Sequence, residues 1–400
     1  MCSLELMAFS IDIGLPLFIR RSNSSKETTI NSDFQLNSST VFYGLNQFSR
    51  LNDCLLKYAE SKAKRIKIKW HSKGKVLLII LCQEEYLLRE KHLDHFLVLV
   101  INAIQMICGP DVFFMEDFDK QKRDLKFVHH LLDYLVNLFV SIDVDRITMI
   151  AHSVHYEPID RSKSIISFLS SLNRIESIEY WAIFVQGKLT IASKEWWSTL
   201  ASDHHIQTCL ICYLTNSITI EKVMEKITIF LPCENESIPK NLTIIQLSKH
   251  LRVCLISTKN SNLDHVTTEI PSINDSTESP SSSYALNSLI DGRNDEATIS
   301  AFIIFNTKHR IHCIYNSTIV KNYLDEIIVF CNCDFKSENE QDAIISNDHL
   351  IMCKINVKHF ILCTLFTTID WKFSIEKCNK LTKNLANNLL NLNKNKTIWP

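Results

Sequence analysis

The chain has 400 residues, of which 46% are hydrophobic and 22% charged, a mix that allows two or three cores of ordinary domain size and argues against a disordered chain. Lys and Arg number 43 against 44 Asp and Glu, a formal net charge of −1 that argues against a nucleic-acid partner, since phosphate neutralisation carries much of duplex affinity. Only 6 glycines occur where about 28 would be ordinary, and they stand alone, so phosphate-cradling loops and the strand-to-helix nucleophile elbow are missing.

The first unit is expected to open with strands Leu4–Ser10 and Pro16–Arg21, turned through Gly14. Thr40–Leu55 carries Val41, Leu45, Phe48 and Leu55 at helical spacing, which predicts a helix capped by Thr40, with Tyr43, Gln47 and Arg50 on its solvent side. Arg65–Trp70 alternates, placing Ile66, Ile68 and Trp70 on one strand face and Arg65, Lys67 and Lys69 on the other; a further strand is possible near Tyr58. The apolar run Val76–Cys82 predicts a central strand buried on both sides. Helices Arg89–Cys108 and Asp119–Val140, the latter with Phe127 inward, complete an antiparallel meander with helices on both faces.

The same grammar returns. A helix over Ser164–Leu172 precedes a hairpin, Tyr180–Val185 and Leu189–Ser193, turning at Gln186-Gly187. A helix through Trp196–Tyr213 follows, then strands near Ile227–Leu231, Leu242–Leu247 and Val253–Ser257. A Ser-, Thr- and Pro-rich linker separates these from a third β-rich unit, with strands Ile299–Asn306, His309–Tyr315, Leu350–Val357 and Phe360–Thr367, a polar loop Lys336–Asp348, and a closing helix bearing Ile375, Cys378, Leu385, Leu389 and Leu392. The expected organisation is a mixed α/β (α+β) chain: 1–145, 146–258, a linker 259–297, and 298–400.

Glu5 and Asp12 flank the first apolar residues and Arg20 and Arg21 follow too late, so no secretory signal is expected; no apolar run reaches the roughly 18 residues of a membrane span. The 14 cysteines stand singly in apolar runs and are expected as reduced, packed thiols of an intracellular protein.

Chemistry-bearing groups are few. His204, His205, Cys209 and Cys212 have the residue types of a zinc half-site, but the cysteines lie in an apolar helical stretch that equally places them in a core. Cys331 and Cys333 suit one face of a strand, and His152 and His155 suit surface or capping positions. The run Lys62, Lys64, Arg65, Lys67, Lys69, Lys73 and Lys75 is either a solvated sheet face that resists aggregation or a surface for an acidic partner or anionic membrane. Trp196-Trp197 is either half core or a contact pair.

Ile13-Gly14-Leu15-Pro16-Leu17-Phe18 resembles the start of a longin domain of the Fuzzy family. The stretch from Val185 to Trp197, a hairpin followed by a tryptophan pair, is similar to that family's second unit, and Ile229-Phe230-Leu231-Pro232 resembles the strand that follows it. The resemblance implies three longin-like domains, each an antiparallel sheet flanked by helices. It further implies a non-enzymatic subunit without cofactors that pairs with an Inturned-like longin protein in the ciliogenesis and planar polarity effector (CPLANE) complex, with the other subunits of that complex. The pair would recruit, or promote nucleotide exchange on, a Rab-type small GTPase at the ciliary basal body, in cytoplasm and cytoskeleton. The candidate contact residues are Tyr43, Gln47, Arg50, Arg65, Lys67, Lys69 and Trp196. The rival expectations are a trafficking or assembly adaptor that binds GTPase or lipid without exchange, and a zinc or thiol enzyme at His204–Cys212.

Overall fold

The computed structural model describes residues 3–22, 32–61, 63, 65–83, 90–141, 146–151, 153–156, 172, 175, 177–200, 204–216, 224–231, 238–246, 251–258, 299–306, 311–315, 317–323, 327, 343–346, 350–357, 360–367 and 375–394. The expected helix Ser164–Leu172 (but for Leu172), the linker 259–297, His152, and Cys331 with Cys333 lie outside these residues.

Three sheets form. The first contains β1 (Ser3–Ser10), β2 (Pro16–Arg21), β3 (Tyr58–Ser61), β4 (Ile66–Lys73) and β5 (Val76–Gln83), in the order β2-β1-β5-β4-β3. It is not the plain meander expected, because β5 returns to lie beside β1, with Leu6 opposite Ile80 and Ala8 opposite Leu78. The cause is legible in β5 itself. A run of Val76, Leu77, Leu78, Ile79 and Ile80, all fully buried, needs neighbours on both edges and helices on both faces, so it takes the centre.

Helix α1 (Ser32–Leu51) covers one face, over a cluster of Met7, Phe9, Trp70, Leu77 and Ile79 joined by Phe42 and Tyr43. On the other face, α2 (Glu90–Cys108) packs on β4 and β5, and α4 (His129–Val140) packs on β1 and β2. The expected single helix over Asp119–Val140 is broken into α3 (Phe118–Asp124), a 3-10 turn Leu125–Val128, and α4. The break turns Leu125 and Val128 inward and leaves Phe127 exposed, the reverse of the expectation for Phe127. Arg20 of β2 bonds the His129 ring and, at 3.4 Å, Asp133, holding α4 to the sheet.

A short helix α5 (Arg146–Ala151) leads to β6 (Val154–His155). The second sheet, β8-β7-β11-β10-β9, comprises β7 (Ile178–Val185), β8 (Lys188–Ala192), β9 (Met224–Phe230), β10 (Pro239–Gln246) and β11 (Leu251–Thr258). Gln186 and Gly187, at φ 51° and 80°, make its hairpin turn, the conformation that suits the right-handed twist of flanking strands. The expected helix Trp196–Tyr213 is two, α6 (Lys194–Ser198) and α7 (His204–Asn216).

The third sheet is β14-β15-β16-β12-β13-β6, from β12 (Ala301–Asn306), β13 (Ile311–Tyr315), β14 (Ala343–Ser346), β15 (Leu350–Val357), β16 (Phe360–Thr367) and the early strand β6. Strand β14 falls where a loop was expected. Helix α8 (Ser317–Asn322) packs on β12 and α9 (Ile375–Lys394) on β15 and β16, with Cys378 and Leu385 buried.

Leaving β6 aside, each sheet is five antiparallel strands in one order: a hairpin, then three strands whose last returns beside the first. Three longin-like α+β sheets with flanking helices are therefore the architecture. Two compact units result: residues 1–142, 208–217 and 228–239, and residues 143–207, 218–227 and 240–400. Among the described residues no helix is long and apolar enough to cross a membrane.

Two glycines give a contrasting test. At Gly74, φ is 56° and a Cβ would collide with the Phe113 carbonyl oxygen, whereas a Cβ on Gly44 of α1 meets nothing within 4 Å. Gly74→Ala is expected to destabilise by about 2 kcal/mol or more, and Gly44→Ala to stabilise by about 0.5–1 kcal/mol, both read from urea unfolding midpoints.

Candidate functional site

The expected contact residues divide sharply. Tyr43 and Gln47 were placed on the solvent side of α1, but they face the sheet. The Tyr43 hydroxyl donates to the Ile11 carbonyl at 2.9 Å, Gln47 Nε2 donates to the same carbonyl at 3.2 Å, and Gln47 Nε2 also donates to the Tyr43 hydroxyl oxygen at 2.7 Å. The Tyr43 ring lies 5.6 Å from Phe9 and fills the space beside Gly14. A tyrosine serves this place because its ring packs on the sheet while its hydroxyl satisfies a turn carbonyl. The Ile11 carbonyl is thus the reason these residues turn inward. Arg50 alone of the three is exposed, in the last turn of α1.

Val41, Leu45, Phe48 and Leu55, expected to form the core side of α1, face out, and Leu51 joins them. Val41 is 56% exposed, Leu45 47%, Phe48 67%, Leu51 84% and, just past the helix, Leu55 71%. Val41, Leu45, Phe48 and Leu51 fall at spacings of four, three and three, which puts them on one side of the helix. The helix also starts earlier than expected, so Thr40 lies within it rather than capping it. Exposed apolar patches on single chains seldom exceed about 300–600 Å², and larger ones mark interaction sites. Val41, Leu45, Phe48 and Leu51 make a continuous apolar side of α1, each about half exposed or more.

Of the basic run, Lys62 and Lys64 lie outside the described residues, and Lys69 is the correction. It is 6% exposed and lies between two carboxylates of α2, Glu90 at 2.6 Å and Asp94 at 2.7 Å. Burial pulls its ammonium pKa down, but the hydrogen bonds it donates to Asp94 and Glu90 outweigh this and hold it above the ordinary lysine value. Lys73 likewise donates to Gln105 Oε1 of α2 at 2.9 Å and sits over the Phe113 ring. Lys67 is half-buried, and Arg65 is exposed at the β3–β4 turn with φ 52°. Lys69 is therefore unavailable to an acidic partner or a membrane.

Trp196 is also corrected. It is fully buried, capped through its amide by Ser193 Oγ at 3.1 Å and packed edge-on against Phe184. Trp197 is half-buried and edge-on to Tyr156. The Ser193 cap fixes the register of the first turn of α6 and so decides which ring goes in.

Cys209 and Cys212 are buried, and the Cys209 thiol donates to the Leu99 carbonyl of α2 at 3.4 Å. Among the described residues no three of His, Cys, Asp or Glu come together as a metal site. Cys108 shows what burial does to a thiol here: desolvation, then the charge of Asp124, pushes it up to about 12, far from a reactive thiolate. His155, expected at the surface or in a cap, is instead stacked on His312, a pairing the sequence did not signal.

The edges of the first sheet are β2 and β3. Strand β3 is short, half of it exposed, and follows α1 directly through Leu55 and Leu56. A helix stripe and an edge strand are what the site offers: apolar area and a backbone edge unpaired among the described residues, suited to a protein surface. No protein-family model matches the chain, and no curated protein is similar enough to match it.

The buried cation gives a test. Lys69→Glu is expected to cost about 3–5 kcal/mol of folding stability, because it places three carboxylates together where a paired cation was buried. Arg50→Glu, exposed at a helix C-terminus, is expected to cost less than about 1 kcal/mol. Urea midpoints of the two variants separate these outcomes.

Proposed function

We propose that this chain is a non-enzymatic longin scaffold of Fuzzy type that pairs through its first domain with an Inturned-like longin protein. The pair, within a CPLANE-like assembly, recruits or promotes nucleotide exchange on a Rab-type small GTPase at the ciliary base and so supports cilium assembly and planar polarity. The observation that supports this reading is the outward apolar stripe Val41, Leu45, Phe48 and Leu51 on α1. Its sheet-facing side is already anchored by Tyr43 and Gln47, so the stripe is not a core face awaiting rearrangement. The three-fold longin-like sheet order is the second support.

Exchange in such a complex needs no catalytic side chain. It requires a surface that binds the nucleotide-free GTPase better than the loaded one, and so shifts the population toward release. An effector or adaptor would invert that preference. Affinity capture from ciliated cells, with and without EDTA, distinguishes them. Recovery of a longin partner and a GTPase enriched by EDTA supports the exchange scaffold. A longin partner with a GTPase held only in its GTP form supports the adaptor. Absence of any longin partner overturns both.

The stripe makes a residue-level prediction. Leu45→Asp with Phe48→Asp is expected to weaken partner capture by about 30-fold or more, the loss of two central apolar anchors. Thermal unfolding of the variant alone is expected to stay within a few °C of the parent, because both residues are about half exposed or more. Undiminished capture would move the interface elsewhere.

A further inference from the structure

The short segment Ser153–Tyr156 touches two sheets. β6 pairs in parallel with β13, Val154 opposite Ile311 and His155 opposite His312, and the Tyr156 amide donates to the His312 carbonyl at 2.8 Å. Tyr156 also makes a parallel bridge to Leu189 of β8, the edge strand of the second sheet. Within the larger unit this segment therefore ties an edge of the second sheet to an edge of the third.

What holds the tie is unusual for so short a strand. The His155 and His312 rings stack at 5.1 Å and 29°, with the Phe305 ring 5.8 Å from His312. Ser153 Oγ lies 2.8 Å from His312 Nδ1, and the Cys313 thiol donates to the Tyr156 carbonyl at 3.1 Å. His312 Nε2 and His155 Nδ1 are both buried without a hydrogen-bond partner. A cation formed on either ring would meet the other imidazole and, from β8, the ammonium of Lys188.

We propose that Ser153–Tyr156 is an acid-released clasp, in which protonation of the stacked His155–His312 pair frees β6 from β13 and uncouples the third sheet from the second.

The direction follows from proton linkage. Burial first, then repulsion from His312 and Lys188, holds His155 well below its ordinary value. Burial pushes His312 down to about 3, opposed in part by its bond to Ser153. When the segment opens, both rings regain a pKa of about 6.5. The open form then binds more protons, so the closed clasp is at full strength above about pH 7.5 and weakens as pH falls through 6.5. Between pH 7.5 and 5.5 each histidine favours opening by about tenfold, and the pair by about 100-fold.

Hydrogen exchange on the full chain, read by mass spectrometry at pH 7.5, 6.5 and 5.5 and corrected for intrinsic rates, tests this. Peptides covering 153–156 and 311–315 are expected to lose about 100-fold protection between the two extremes, while β1 and β5 keep theirs. His155→Phe, which retains a stacked ring and removes one titrating group, is expected to reduce the change to about tenfold; His155→Asn serves if the phenylalanine does not fold. Unchanged protection of these peptides, an equal loss in all three sheets, or the same pH response in parent and variant would each overturn the clasp.

Discussion

A single buried ammonium decides how the first domain is dressed. Lys69 projects from one face of a strand whose other face holds Trp70, and it is almost wholly removed from water. Leaving such a charge unpaired costs several kcal/mol, more than the packing of any one aliphatic residue contributes. Helix α2, with Glu90 and Asp94 a turn apart, is therefore bound to this face. The Trp70 face is left for α1, where the Trp70 indole N–H donates to the Phe42 carbonyl at 3.2 Å. Once α1 is seated there, the Ile11 carbonyl draws Tyr43 and Gln47 inward and turns the aliphatic stripe to solvent. The outward stripe, on which a partner-binding role rests, is thus the far end of a chain of contacts that begins at an ion pair.

The three domains share a strand order but not a chemistry. In the first, helix placement is enforced by charge. In the second, the core includes Trp181, Ile183, Ile245, Val253 and Leu255, and Lys240 of β10 pairs with Glu179 of β7. In the third, Ile351, Cys353 and Phe366 meet Cys378 of α9, and a hydroxyl pair, Thr364 with Thr382 at 2.6 Å, stitches helix to sheet. The first domain presents an apolar face, while the Ser153–Tyr156 segment joins an edge of the second sheet to the third.

Elements were legible in the sequence wherever periodicity spoke plainly. β5 was central because it is apolar on both sides, and the Gln186-Gly187 hairpin announced its own turn. Faces were less legible. Val41, Leu45 and Phe48 show the helical spacing of a core stripe, and nothing local says that a tyrosine and a glutamine will outcompete them for the sheet. The decisive partner, the Ile11 carbonyl, is 32 residues from Tyr43. Lys69 was misplaced for the same reason, since alternation separates two faces without saying which helix covers each. β6 is not legible in the sequence because two residues carry no period, and its mate His312 stands 157 residues away from His155.

The orientation of α1 is the point on which the functional reading turns, and hydroxyl-radical footprinting measures it directly. In the free chain Phe48, Leu51 and Leu55 are expected to oxidise several-fold faster than Tyr43 and Phe42, and in the captured complex Phe48 and Leu51 are expected to become protected. Protection of Phe48 in the free chain, or full reactivity of the stripe in the complex, would contradict the outward stripe as the partner surface.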